Sequence, residues 1–279
     1  MKIIVSIKQV PDSSNVVMDP ETGTMKREGV NAVVNPDDLS AVEAALQIKD
    51  RRDDVTVTAI TMGPPAAETA LREVLAMGVD EAVLLTDRKF GGADTWATSY
   101  TLASCIRKLG GADLIICGER ATDGETGQVG PEMSAHLHIP LATYISSIVD
   151  VEDDYIRMIR SADDGKETLR SPYPILITVG REIGAPRLGS VRAKLAAKRK
   201  EITVWTAEDL DVEAEKIGLA GSPTKVVKIF TPKISRHCDL FEVNENNLEE
   251  AKQKFIRFLE EKEIAESLIN IKDEGSCEN

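Results

Sequence analysis

Three glycines spaced by three residues form the first candidate ligand site. Gly124, Gly127 and Gly130 lie in DGETGQVGPEMSAHL (123–137), which follows the apolar run DLIICG (113–118) and opens a helical pattern. A helix N-terminus after a strand presents unpaired N–H groups and partial positive charge, which suit a phosphate. The spacing GxxGxxG matches neither the dinucleotide fingerprint GxGxxG nor a Walker loop. A plain strand-to-helix connection therefore stays open.

Three other turns share this composition. They are the turn with Ser6, Lys8 and Gln9 after the first apolar run, TMGPP (61–65), and DRKFGGADTWATS (87–99). In a doubly wound sheet, ligands bind at the carboxyl ends of the strands where the strand order reverses, so four such turns favour a shared site. Against this, Asp123 and Glu125 would repel a phosphate.

The sequence offers little for catalysis by side chains. It has no recognisable Ser/His/Asp arrangement, no HExxH and only three histidines, and its four cysteines show no CxxC spacing, so neither a metal site nor a disulfide framework is indicated. Asp37 and Asp38 are interpreted as first-turn carboxylates that complement a helix dipole rather than as an acid/base pair. An organic cofactor would have to carry any reaction, and no catalytic residue is assigned.

Composition narrows the class of protein. A net charge of −13 argues against nucleic acid, whose phosphates require a basic surface. No apolar run approaches the about 20 residues that span a bilayer, and MKIIVSIKQV is typical of a first strand rather than of a signal peptide. We therefore expect a cytoplasmic protein without membrane insertion.

The elements that would position these turns indicate an α/β fold. Apolar runs at 2–8, 55–61, 82–86, 113–118 and 174–179 alternate with helical patterns, which predicts a doubly wound, mainly parallel sheet in a flavodoxin-like arrangement. Asn35 is predicted to cap the first helix, with Pro36 at its first position, and Asp94 to cap the third. Alternating residues over 141–171 predict an added region of antiparallel hairpins.

The C-terminal part has a different pattern. Beyond about residue 206 it is punctuated by Pro and Gly and ends in a polar helix around Leu248, Phe255 and Leu259. We divide the chain into a nucleotide-binding α/β domain, residues 1–205, and a C-terminal arm, residues 206–279. That arm is interpreted as lying across a partner, with a peripheral helix on its own domain as the alternative.

Several long segments resemble the beta (small) subunit of electron transfer flavoproteins. They are VSIKQVPD, NPDDLSAVEAAL, TMGPPAAETALREVLAMGVDEAVLL, ICGERATDGETGQVGPEMSAHLHIP and VRAKLAAKRKEI. The stretch from Arg160 to Thr178 is similar to the family signature, with Met158 as a mild departure. The resemblance covers the chain from end to end.

The resemblance implies a heterodimer with an alpha subunit that carries FAD. In ordinary members the beta-subunit site holds structural AMP and the protein docks an acyl-CoA dehydrogenase. In electron-bifurcating members it holds FAD, which accepts hydride from NADH and passes electrons to the alpha-subunit FAD, then a dehydrogenase, and to ferredoxin or flavodoxin. Two segments, DRKFGGADTWATSYTLA and ATDGETGQVGPE, are more similar to the bifurcating branch, so FAD is favoured and AMP is the alternative.

Positions of the family's site carry over residue by residue. The adenine nucleotide is expected near Ser6, Asn35, Asp37, Asp38, Met62 and Gly63, the phosphates along Asp123, Gly124, Thr126, Gly127, Gln128, Val129 and Gly130, and the rest of a flavin near Thr95 and Thr98. The family's partner-docking loop corresponds to residues 183–200, where Val191 aligns with a larger Leu. The implied partner is therefore a flavin-dependent dehydrogenase of acyl-CoA or lactate type.

Overall fold

The structure, a computed structural model, describes residues 1–12, 32–225, 240–244 and 246–261. The chain divides into two compact units, residues 1–229 and residues 230–279. Strands of the first unit are β1 (Lys2–Ser6), β2 (Gln9–Pro11), β3 (Ala32–Val34), β4 (Thr56–Met62), β5 (Glu81–Leu85), β6 (Leu114–Gly118), β7 (Leu141–Val151), β8 (Tyr155–Ala162), β9 (Gly165–Pro172), β10 (Ile175–Val179) and β11 (Thr203–Trp205). Its helices are α1 (Pro36–Arg51), α2 (Glu68–Met77), α3 (Thr95–Lys108), α4 (Val129–Leu137) and α5 (Val191–Ala197).

A single sheet of nine strands organises the first unit, in the order β11-β5-β4-β1-β6-β10-β7-β8-β9. The strands from β11 to β7 are parallel to their neighbours, and β7, β8 and β9 pair antiparallel. The predicted α/β class and the hairpin region are confirmed. Within that class, β1 lies between β4 and β6, which are the second and fourth parallel strands in chain order. Dinucleotide-binding sheets have this arrangement, whereas flavodoxin places the third strand beside the first.

Three short strands were not predicted. The three-residue strands β2 and β3 form a separate antiparallel ribbon, and β11 extends the sheet beyond β5. Each is too short to show a repeating pattern of apolar residues.

The helices cover both faces of the sheet. Ile3 and Val5 of β1 pack in one apolar cluster with α1 and α2, while Ile4 packs in a second cluster with α3 and α4. Side chains of a strand alternate between its faces, so a strand buried on both sides is apolar at consecutive positions. This explains the unbroken apolar runs in the sequence.

The predicted boundary near residue 205 lies inside the first unit. Ala207, Leu210 and Ile217 are buried in the second apolar cluster, so the segment directly after β11 packs on the α/β core. In the second unit, the described residues include helix α6 (Leu248–Glu261), on which Phe255 and Phe258 are exposed. An arm on a partner remains a prediction. None of the helices in the described ranges has the length and apolar character to cross a membrane.

Arg187 fastens the loop after β10 to helix α1. Its Nε donates to Glu43 Oε2 at 2.9 Å, and its Nη2 donates to Asp50 Oδ2 at 2.6 Å. Burial raises the pKa of Glu43, but hydrogen bonds from Arg187 outweigh it and hold the pKa below its usual value. Hydrogen bonds from Arg187 likewise lower the pKa of Asp50. Carboxyl groups with lowered pKa values stabilise the fold above their usual titration range and lose that contribution as the pH falls through their lowered pKa values.

We expect Arg187→Gln to lower the free energy of unfolding by about 1.5–3 kcal/mol at pH 7, because it leaves the buried Glu43 carboxylate without its charged donor. The difference from wild type should shrink as the pH falls below about 4, because the carboxyl groups then bind protons first in the unfolded state and, at still lower pH, in the folded state. Urea unfolding at pH 7 and pH 3.5 measures it. Lys89→Gln, which removes an exposed ion pair with Glu208, is the control and should cost under about 1 kcal/mol. A pH-independent deficit would contradict the assignment.

Candidate functional site

A cavity of about 640 Å³ lies at the carboxyl ends of the central strands. Its floor is lined by residues at three strand ends: Ser6 of β1, Met62 of β4, and Cys117 and Gly118 of β6. The chain leaves β1 toward β4 on one side, and β6 returns on the other side of β1, so the strand order reverses here. This is the position at which doubly wound sheets bind ligands.

Asp38 ties the two strand ends at the reversal together. Its carboxylate accepts the N–H of Lys8 at 2.7 Å and the N–H of Gly118 at 3.1 Å. Burial raises the pKa of Asp38 to about 7, and hydrogen bonds from Asn35 and from those two N–H groups act in the opposite direction. The side chain therefore does more than complement the dipole of α1, because it sets the distance between the loops after β1 and β6.

Asn35 has the same cross-linking role. Its Nδ2 donates to the carbonyl of Arg120 at 2.8 Å, and its Oδ1 accepts the N–H of Thr122 at 3.2 Å. The predicted side-chain cap is wrong, since the side chain of Asn35 accepts no hydrogen bond from a backbone N–H at the start of α1. Its amide group instead holds the backbone just before the glycine turn, by which we mean residues 123–130.

The glycine turn forms one wall of the cavity. Its lining residues are Gly124, Thr126, Gly127, Gln128, Val129 and Gly130. Gly127 has a φ of 63°, which favours glycine. Helix α4 starts here at Val129, and no side chain of the described residues caps it. Its first N–H groups, which have no intrahelical acceptor, are therefore available to an anion.

The N-terminus of α3 forms a neighbouring wall, which contacts α4, and it differs in charge. Asp94 accepts the N–H of Ala97 at 3.1 Å, so the predicted cap of α3 is confirmed, and its carboxylate balances the positive end of the helix. Thr95 and Thr98 line the cavity. The hydroxyl group of Thr95 lies 3.2 Å from Gln128 Oε1 and 3.1 Å from Glu132 Oε1. An anion is thus favoured at α4 over α3.

The remaining predicted residues are not in the lining of this cavity. Asp37 lines a second cavity of about 480 Å³ and pairs with Arg181. Gly63 follows Met62 and donates its N–H to the carbonyl of Leu85. Asp123 forms an ion pair with Lys8. Val191 lies on α5 and is exposed.

The lining includes residues that the site prediction left out. The main ones are Lys8, Phe90, Leu102, Glu119, Arg120 and Met133. Lys8 could have been included, because it follows the first strand directly, whereas the apolar residues carry no signal that separates them from the core.

Comparison with known proteins gives concordant matches. The family described as electron transfer flavoprotein domain matches residues 22–210. The chain is 49% identical over 234 residues to the electron transfer flavoprotein subunit beta of Clostridium acetobutylicum, covering 84% of this chain and 89% of the relative. It is 48% identical over 232 residues to the caffeyl-CoA reductase-Etf complex subunit CarD of Acetobacterium woodii, covering 83% and 88%. It is 43% identical over 261 residues to protein FixA of Azotobacter vinelandii, covering 90% and 92%.

We expect Gly118→Ala to destabilise the protein by about 1–3 kcal/mol or more, as overpacked substitutions do. A Cβ at this position would lie 2.2 Å from Asp38 Oδ1 and 2.8 Å from the backbone nitrogen of Asp38, which cannot move away easily. Gly124→Ala is the matched control, because nothing lies within 4 Å of its added Cβ. Chemical denaturation of both variants tests this, and equal stability of the two would contradict the close approach at Gly118.

Proposed function

The chain belongs to the electron transfer flavoprotein family as a beta subunit, and from this premise we propose that its cavity holds FAD reduced by NADH in a bifurcating complex. When bound, FAD would supply the redox chemistry: it can accept a hydride from NADH and pass single electrons to two acceptors, which are the alpha-subunit FAD and ferredoxin or flavodoxin. The protein contributes binding, orientation and exclusion of water. We place this complex in the cytoplasm.

The observation that supports FAD over AMP is the extent of the cavity. It runs from Ser6 and Met62 at the strand ends, past the glycine turn, to Phe90 and Leu102 beyond the start of α3. A mononucleotide at the strand ends and the glycine turn would leave the α3 side of this cavity without a ligand. A flavin attached through a second phosphate would use it.

The two walls suit different parts of such a ligand. The uncapped start of α4 and the hydroxyl group of Thr126 offer donors to the pyrophosphate. The α3 wall combines the apolar side chains of Phe90 and Leu102 with the hydroxyl groups of Thr95 and Thr98, a combination that suits a ring with polar edges. We assign the adenine end to the neighbourhood of Ser6, Asp38 and Met62.

The charge pattern supports the same assignment. Asp94 already balances the start of α3. Glu132, which is in the first turn of α4 and 3.1 Å from the hydroxyl group of Thr95, has a pKa that burial raises. The α3 wall thus disfavours a second anion, and both phosphates are better placed toward α4.

We propose the exposed apolar surface of α5 and the residues before it as the docking site for a flavin-dependent dehydrogenase. Leu188, Val191 and Leu195 are 92%, 77% and 56% exposed. Basic residues such as Arg192 and Lys194 lie between them, in a chain whose net charge is −13. An acidic rim on the dehydrogenase would complement this surface. One relative is named as a subunit of a caffeyl-CoA reductase-Etf complex, which supports a partner that acts on acyl-CoA substrates.

Counting the cofactors tests the main proposal. We expect the purified heterodimer of this chain with its alpha subunit to release two FAD on denaturation, measured by absorbance and by chromatography of the released nucleotides. One FAD together with one AMP would instead identify the structural-nucleotide type of beta subunit, which docks an acyl-CoA dehydrogenase without bifurcation. NADH-dependent bleaching of the beta-site flavin should accompany the first result.

We expect Val191→Glu to reduce electron transfer to the dehydrogenase by about tenfold, because it puts a carboxylate at the centre of an apolar docking surface. A tenfold loss corresponds to about 1.4 kcal/mol of binding free energy. The melting temperature and the flavin content should not change, since Val191 is exposed. Val149→Glu, a less exposed site on β7, is the control. Unchanged coupling with the dehydrogenase would exclude α5 as the docking site.

A further inference from the structure

Lys8 is fixed at the reversal of strand order by both of its backbone polar groups. Its N–H donates to Asp38 Oδ2 at 2.7 Å, and its carbonyl accepts the N–H of Asn35 at 2.9 Å. The backbone is thereby tied to the start of α1, and only the long side chain is left to adjust.

The side chain of Lys8 reaches from the loop after β1 to Asp123 at the start of the glycine turn. Its Nζ lies 2.7 Å from Asp123 Oδ1, and the two side chains are 49% and 31% exposed. An ion pair this exposed to water is weak, because solvent screens the attraction and the two side chains lose conformational freedom. A stronger acceptor nearby would therefore displace Asp123.

Lys8 also differs from the other charged residues of the lining. Among the described residues, the lining contains five charged side chains, which are Lys8, Asp38, Asp94, Glu119 and Arg120. Arg120 is held by Glu119, which accepts from its Nε at 2.8 Å. The partner of Lys8 is Asp123, which lies outside the lining. Of the two cations in this lining, Lys8 is therefore the one whose acidic partner is not itself a lining residue.

We propose that Lys8 is a phosphate-binding residue that exchanges the carboxylate of Asp123 for a phosphate oxygen of the bound nucleotide. This inference rests on the proposed function, which supplies a phosphate at the start of α4. It also accounts for the acidic opening of the glycine turn. Asp123 holds the ammonium group of Lys8 beside the site and neutralises it until a phosphate replaces the carboxylate.

A purely structural clasp would make a different prediction. If the ion pair only closed the mouth, removing either partner would weaken binding alike, and ligands with and without phosphate would suffer equally. If Lys8 binds phosphate, its removal matters only for phosphorylated ligands, and removal of Asp123 frees Lys8.

The full 279-residue chain, stripped of bound nucleotide, is titrated calorimetrically with ADP and with adenosine. We expect Lys8→Gln to weaken ADP binding about tenfold, as loss of a charge-assisted hydrogen bond does, and to leave adenosine binding unchanged. Lys8→Arg should keep most of the ADP affinity. Asp123→Asn should bind ADP at least as tightly as wild type. The double variant with Lys8→Gln should bind ADP no more tightly than Lys8→Gln alone.

The outcomes are separable. Equal losses for ADP and adenosine in Lys8→Gln, or equal losses in Lys8→Gln and Asp123→Asn, would overturn the phosphate role and leave the nucleotide site intact. A wild-type chain that binds neither ligand would overturn the proposed function and this inference with it. The Lys8→Gln deficit for ADP should also shrink as salt is raised, because screening weakens the attraction in wild type.

Discussion

A buried carboxylate between two strand ends determines the geometry of this site. Asp38 accepts N–H groups from Lys8 and from Gly118, which follow β1 and end β6 at the reversal of strand order. These two donors offset part of the cost of burying that charge, and the loss of either would leave the group less well compensated. The requirement extends to Gly118, because any side chain there would occupy the space of the Asp38 carboxylate. Strand spacing, helix position and loop shape are thereby coupled through one residue.

The electrostatics of the cavity depend on whether a side chain caps each of the two helix N-termini that border it. The start of α3 is balanced by the carboxylate of Asp94, which also accepts from Thr224. The start of α4 has no side-chain cap. In the turn before it, Asp123 is paired with Lys8 and Glu125 lines the second cavity. One cavity therefore has a wall that attracts anions and a wall that does not. A ligand with phosphates in its middle and uncharged rings at its ends fits this division.

The sequence was informative where the determinants are local. The apolar runs, the proline at the start of α1, Asp94 and the glycine turn each act within a few residues, so the α/β class, most elements and the position of the cavity could be predicted. Asn35 and Asp38 were assigned local roles, but they also bind partners 85 and 80 residues away in the chain, Arg120 and Gly118. A cap and a cross-link have the same sequence signature. Short strands such as β11 depend on pairing with β5 and leave no periodic pattern.

The same distinction bears on the cofactor. In our proposal, the residues that hold a nucleotide's adenosine and first phosphate lie at the strand ends and on the glycine turn, where AMP and FAD would make the same contacts. The α3 wall is needed only by the longer ligand. Its two apolar residues Phe90 and Leu102 are buried like ordinary core residues, at 5% and 4% exposure, yet they also line the cavity. On this proposal, the choice between the two cofactors depends on the segment from Asp87 to Leu102 rather than on the glycine turn, although the glycine turn is the most recognisable motif of the chain.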